Sequence, residues 1–537
     1  MWTRAFLLLA SAAAALAAAR AAPASTAHFN AQFDLDSIDP ALAFTEPSWQ
    51  LEYATCAKLV NFPDAPAPAG GRLEPEVAAA PPVVSGDGRT YTFALRGDFR
   101  FSPPSNERVT GASFERAIER ALSPAVGSPA ASYVSDVTGV VAHGNTLRIS
   151  LAHPDGGFLA RLSMPFFCAV PADTPLEPES APLPSAGPYY IASYEPGSSL
   201  ALRRNPNYRG DRPAGFDEID YRFGVDRAVT VAEIAADQAD YAVDGLPIES
   251  YAAIATAYPD RFAVNAAMGI RYLALNTSRP LFASVDARRA VNFALDRPRL
   301  TQVWGAFGLT PFDHYLPPTM PGSLDEHVYP LNGPDDATAN ALVDRAGVRG
   351  ETAILYTCLT DVCQAAARIV TEDLARIGIA VETRSFPRGE QLAREQTRGE
   401  PYDIALEGWV ADYPDPSDIL GVLLDGRTIG ESGNLDISYF DDPAYEEGLD
   451  VASPLSGQAR LDAFGALDLD VTRDDAPLAV FGMLNQREFF SSRLGCRTFQ
   501  PVYASVDVAA LCLRSQDGVY ASHSPRRRLG HHAGRRH

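Results

Sequence analysis

The stretch whose residue types could do chemistry is Gly408 to Leu420, GWVADYPDPSDIL, which sets Trp409, Asp412, Tyr413, Asp415 and Asp418 close together around two prolines. Clustered carboxylates suit acid and base catalysis or a metal, but each of those needs partners. The chain has no GxSxG, HExxH or SxxK set, no P-loop and no dinucleotide fingerprint. The nine histidines are scattered or lie in the tail. His314, in FDHYLPPTM, reads as a structural loop residue. CLTDVC, with no nearby histidine, supplies too few ligands for a metal. Binding is therefore the chemistry expected of the acidic loop, with no metal and no cofactor.

The elements around it must hold it still. Tyr402 to Trp409, YDIALEGW, alternates Ile404, Leu406 and Gly408 with Asp403, Ala405 and Glu407, the period of a strand. Pro414 and Pro416 then forbid a regular helix or a central strand directly afterwards, which leaves Asp412 and Tyr413 in a constrained turn. Upstream, TAILYTC, VCQAAARIVTEDLARIG and IAVETRSF spell a strand, a helix and a returning strand. The helix should bury Val362, Ile369, Val370, Leu374 and Ile377, with Gly378 as its cap. EQLAREQTRG adds a further helical piece before YDIALEGW. In an open sheet built this way, ligands lie beyond the carboxyl ends of the strands.

The 537 residues, 46% hydrophobic and 9% aromatic, suffice for several domains. A net charge of -22, from 45 basic against 67 acidic side chains, argues against a general nucleic-acid binder. Arg4 followed by the apolar run Ala5 to Ala19 and then ARAAPAS is the grammar of a secretory signal, with cleavage near Ala21 or Ala22. No cysteine near that site would take a lipid. Six cysteines in an exported chain imply disulfides in one of fifteen connectivities. Cys496 with Cys512 is favoured, worth roughly 3 kcal/mol in the chain-entropy model. Cys358 with Cys363 comes next, and Cys56 with Cys168 follows only by elimination. The basic, His-rich end, SPRRRLGHHAGRRH, carries no apolar period and reads as a disordered tail.

The rest of the chain supplies hairpins and helices. An opening strand and a helix carrying Trp49, Tyr53, Leu59 and Val60 precede the loop PDAPAPAGG. SGDG turns one hairpin and His143 to Asn145 another, with TGASFERAIERAL as a helix between them. YLALN reads as a short strand, VDARRAVNFALD as a helix, and APLAVFGMLN as a late strand.

SAGPYYIASYEPGSSLALRRNPNYRG followed by FDEIDYRF resembles family 5 extracellular solute-binding proteins, the peptide- and nickel-type receptors of ABC importers. The likeness continues through LEPEVAAAPPVVSGDGRTYTFALRGDFRFSP, IRYLALNTSRPLFASVDARRAVNFALDR and GWVADYPDP. It implies a two-lobed α/β fold, type II and cluster C, with an extra domain inserted in the first lobe. The expected divisions are a signal at 1–22, first-lobe pieces at 27–62, 185–269 and 488–515, an insert at 63–184, a second lobe at 270–487 and a tail at 516–537. It implies a monomer that closes on a peptide, delivers it to membrane permease subunits, and performs no catalysis. An oligosaccharide receptor, a secreted hydrolase and a ligand-presenting sensor are the alternatives.

In the peptide-binding members the acidic residue of this motif anchors the α-ammonium group, and it matches Asp412. The competing reading is that Asp412 caps the Pro414 turn, although Asp415 and Asp418 are equally available for that. Trp409 and Tyr413 would wall the cleft, or simply pack. Asn276, Tyr272, Glu46 and Trp49 stand evenly between cleft wall and scaffold. Arg384 and Arg388, just after the strand-helix-strand unit, are candidates for a peptide carboxylate by position alone.

Overall fold

The computed structural model describes residues 25–514, so the leader and the basic tail lie outside the described residues. The chain opens with strand β1 (Thr26–Asn30) and helix α1 (Glu46–Thr55). It then builds an inserted unit from β2 (Val83–Val84), β3 (Thr90–Ala94), α2 (Gly111–Leu122), β4 (Val137–His143) and β5 (Thr146–Leu151). Returning, it adds β6 (Tyr189–Glu195), β7 (Ser199–Arg204), β8 (Glu218–Arg222) and β9 (Tyr241–Ala242).

The long strand β10 (Phe262–Leu275) carries the chain across to the second lobe. That lobe holds α3 (Val285–Ala294), β11 (Leu309–Pro311), β12 (Thr352–Cys358), α4 (Asp361–Arg376), β13 (Ala380–Phe386), α5 (Arg388–Glu395), β14 (Ile404–Val410), α6 (Ser417–Leu424) and α7 (Gly457–Asp470). A second long strand, β15 (Leu478–Phe489), carries it back.

Two mixed sheets form the lobes. The first runs β9-β1-β8-β7-β6 and the second β11-β15-β10-β14-β12-β13, while the insert contributes a four-stranded antiparallel sheet, β2-β3-β5-β4. In the second lobe β12 lies parallel to both β13 and β14, whereas β10 runs antiparallel to β14 and β15. Both faces of this sheet are covered. Ile270, Tyr272 and Ala274 enter one core, and Leu273 and Leu275 enter the other, with Val370 and Leu374 of α4. That α/β layering is the expected one, and the strand-helix-strand unit forms as its periodicity predicts. Val362 and Ile369 are only half-buried, because Ala366 and Ala367 let α4 approach the sheet more closely. Gly378 turns the chain with φ of 81°.

Residues expected in the first helix divide differently. α1 ends at Thr55, while Leu59 and Val60 lie beyond it. The six cysteines form three bridges, Cys56 with Cys168, Cys358 with Cys363, and Cys496 with Cys512. Between the lobes, β10 and β15 pair along both ends but lose register between Ala266 and Ile270. A Cβ on Gly269 would stand 2.8 Å from the Trp409 carbonyl oxygen, so only glycine lets the crossing strand pass β14 there. Among the described residues no helix is long and apolar enough to cross a membrane.

Candidate functional site

The acidic loop leaves β14 where Gly269 faces Val410 and Ile270 faces Trp409, at the edge of the irregular crossing. A helix follows the prolines at once. Pro416 occupies the N-cap of α6, a position where the missing N–H loses nothing, so the expectation of an irregular continuation is corrected. Asp418, in the first turn of α6, draws the loop back: its Oδ2 accepts from Trp409 Nε1 at 2.9 Å and from the Asp412 N–H at 3.2 Å.

The three carboxylates have different partners. Asp415 accepts from Arg460 Nε at 2.9 Å and Nη2 at 2.7 Å, and from the Ser417 N–H and hydroxyl at 3.0 and 2.6 Å. Burial pushes its pKa up, but Arg460 and Ser417 outweigh that and hold it below the usual range. Asp418 is fully buried, and its Oδ1 has no hydrogen-bond partner. Burial, then the neighbouring Asp412 charge, holds its pKa well above the ordinary value. Among the described residues Asp412's carboxylate accepts a single bond, from the Tyr133 hydroxyl at 2.5 Å. Burial raises it to about 6, partly opposed by that bond. The loop therefore carries one acid paired with a guanidinium, one that burial biases toward its protonated form, and one with no cation bonded to it among the described residues.

Tyr133 comes from the inserted unit, so the site spans units far apart in sequence. Its ring meets Tyr413 edge-on at 6.1 Å and stacks near Phe166 at 6.4 Å; Phe166 in turn meets Trp49 at 5.7 Å and Phe44 at 5.9 Å. Trp49 and Tyr413 both belong to the insert's apolar core. A second contact lies just beyond. The Gly156 N–H donates to the Ser453 carbonyl at 3.0 Å, and a Cβ on Gly156 would fall 1.8 Å from the Leu455 carbonyl oxygen. Arg460 Nη2 also approaches Asp155 at 3.9 Å. Arg161 pairs with Asp155 and Asp136 and donates to the Tyr133 carbonyl at 2.6 Å, which fixes the backbone behind the Tyr133 hydroxyl.

Glu46 opens α1 and keeps its surface open to solvent, yet protein crowds its carboxylate. Burial raises it to about 8, its bond from Gln486 opposes the rise, and Glu488 adds to it. Trp49 donates Nε1 to the Ala43 carbonyl at 2.8 Å. Tyr272 is buried opposite Glu407 in the sheet. Arg388 makes a two-fold pair with Glu407, and Arg384 reaches Glu382 on the surface.

The structure does not bring Asn276 to this group. It lies past Leu275, which pairs with Ile404 at the far end of β14 from Val410, roughly 20 Å away at 3.4 Å per residue. Its amide donates to the Tyr402 carbonyl and accepts from Ser278. His314 is buried against Asp468 at 2.7 Å. Sequence reasoning missed Tyr133, Asp155, Gly156 and Arg460. Only the Asp-Gly-Gly run at 155–157 carried a signal, and it marks a turn rather than a contact.

The family model for bacterial extracellular solute-binding proteins, family 5 Middle, matches residues 72–431. The periplasmic oligopeptide-binding protein OppA of Escherichia coli K12 is 21% identical over 438 residues, covering 75% of this chain and 78% of its own. The di/tripeptide-binding protein 2 of Pseudomonas aeruginosa UCBPP-PA14 is 27% identical over 401 residues, covering 68% and 73%. Among solved structures, the clavulanic acid biosynthesis oligopeptide binding protein 2 superposes with a TM-score of 0.82 at 25% identity, covering 91% of this chain and 95% of the other. The murein tripeptide binding protein MppA in its unliganded open form gives 0.76 at 21%, covering 92% and 98%.

Proposed function

From a chain that belongs to the bacterial extracellular solute-binding proteins of family 5, we propose a receptor that takes short peptides between its lobes and delivers them to the permease of an ABC importer. Proteins of this kind bind and release and do not catalyse, and they work outside the cytoplasm. Similar proteins are named for oligopeptides, di- and tripeptides and a murein tripeptide.

The observation that carries the peptide reading is Asp412. It is a crowded carboxylate beside the crossing strands, with a hydroxyl but no cation bonded to it among the described residues. A ligand ammonium supplies the missing charge, and a charge pair in so dry a place is much stronger than one in water. Tyr133 then holds the carboxylate from the insert side while the ligand takes the other lone pairs. An oligosaccharide would instead stack its rings on the faces of Trp409 and Trp49 and donate hydroxyls to Asp412, but Trp49 is buried in the insert's apolar core. Arg384, whose present partner Glu382 is on the surface, remains the proposed partner of a peptide carboxylate, whereas Arg388 is committed to the buried Glu407.

Mass spectrometry of whatever co-purifies with the protein, followed by calorimetry on ligand-stripped protein, tests the reading. A peptide with a free amino terminus is expected. A co-purifying ligand with no amine, or a peptide that binds equally well after amino-terminal acetylation, overturns it.

A further inference from the structure

Glu46, Gln50 and Glu488 form a second group of acceptors in the first lobe, one of which, Gln50 Oε1, has no donor. Glu46 meets Gln486 of β15. Gln50 lies one turn further along α1, on the same face. It is buried, and its Nε2 serves the Ser505 hydroxyl and the Val506 carbonyl, which leaves Oε1 without a donor. Glu488 follows Gln486 at strand spacing, so the two side chains share a face of β15. It accepts from the Tyr241 hydroxyl at 3.0 Å, the Val506 N–H at 2.8 Å and Asn265 Nδ2 at 3.1 Å. Ser505 joins the group to Tyr241 at 3.3 Å. Among the described residues no Arg or Lys forms an ion pair with Glu46 or Glu488.

An aromatic path links this group to Asp412. Phe44, two residues before Glu46, is 45% exposed. It stacks on Phe166 at 5.9 Å, and Phe166 faces Tyr133 at 6.4 Å, the residue bonded to Asp412. Phe166 itself is buried, so the exposed face of Phe44 is the one that can accept the stem and head of a cationic side chain.

On the peptide-receptor reading, which this inference rests upon, we propose that Glu46, backed by Gln50 and Glu488, is a second cation subsite that selects peptides with an arginine or lysine near the amino terminus. Asp412 takes the α-ammonium and Glu46 the basic side chain, laid along Phe44. The net charge of -22 works in the same direction, since it draws cationic ligands from a distance at low salt.

Calorimetry on the ligand-stripped full chain tests it with the three tripeptides that place one arginine among two alanines, their citrulline counterparts, and trialanine. Citrulline keeps the shape of arginine and removes its charge. At least one arginine peptide is expected to bind tenfold or more tighter than its citrulline form, and Glu46→Gln should abolish that ratio. Trialanine binding with no arginine preference in the native chain overturns this inference and leaves the peptide reading standing. A ratio that survives Glu46→Gln overturns the assignment to Glu46. If no tripeptide binds, both readings fall. The arginine-to-citrulline ratio in the native chain decides the specificity even where the variant fails to fold.

Discussion

Asp412 and Asp415 stand three residues apart in one loop, in equally crowded surroundings, and the structure treats them oppositely. Asp415 has a guanidinium, a hydroxyl and a backbone N–H on it, and its proton is lost early. Asp412 has a tyrosine hydroxyl and a raised pKa. A buried charge with its partner is architecture, and one without is a vacancy for something else to fill. The lesson extends to Glu407 and Glu46: the first is paired two-fold with Arg388, and the second has only an amide.

The largest effect should come from breaking the satisfied half. Arg460→Leu strands Asp415 in the contact between insert and second lobe, and removing one partner of a buried pair costs about 3–5 kcal/mol of stability. Denaturant unfolding measures it. A loss under about 1 kcal/mol would mean that Asp415 is no more structural than Asp412. Asp412→Asn should do the reverse, leaving the unfolding midpoint almost unchanged while peptide affinity falls on the order of 3 kcal/mol, or about a hundredfold. Equal affinity for the variant and the native chain would remove Asp412 from the site.

Gly156 sharpens the contrast further, because it touches neither carboxylate. Valine there must displace the Leu455 carbonyl, an overpacking of about 1–3 kcal/mol that falls on the approach of the insert to the second lobe. Weaker peptide binding with normal folding of each lobe is expected. Scattering curves with and without peptide would show the variant failing to compact, and an unchanged affinity would show that this contact plays no part in closure.

Much of this was legible in the sequence, for local reasons. The strand-helix-strand unit follows from periodicity, the two hairpins from turn residues, and the loop from its motif. What the sequence could not show was direction and distance. Asn276 looked like a strand-end partner for Asp412, but β10 runs antiparallel to β14 and carries its end away. Tyr133 lies 279 residues from Asp412, and nothing in ASYVSD marks it. The helix beginning at Ser417 was missed because proline was weighed as a helix breaker, whereas at the very start of a helix it fits.

The smallest effect is in pH, where the two acids should pull in opposite directions. The folded pKa of Asp415 lies below its unfolded value. Its stabilising contribution is therefore present above the ordinary aspartate range and is lost as pH falls through the folded value. The folded pKa of Asp412, about 6, lies above its unfolded value, so in the empty protein its contribution declines as pH rises from about 4 to 6. A ligand ammonium reverses that, since it pairs only with the ionised form. Tyr133 and Asp418 face Asp412, and burial raises the pKa of both. Binding should then release nearly one proton at pH 5 and almost none at pH 7, with affinity rising about tenfold between them. Calorimetry in buffers of different ionisation enthalpy counts that proton. The pH-dependent release should vanish in Asp412→Asn and persist in Glu46→Gln for trialanine. Release that survives in Asp412→Asn would place the titrating acid elsewhere in the cleft.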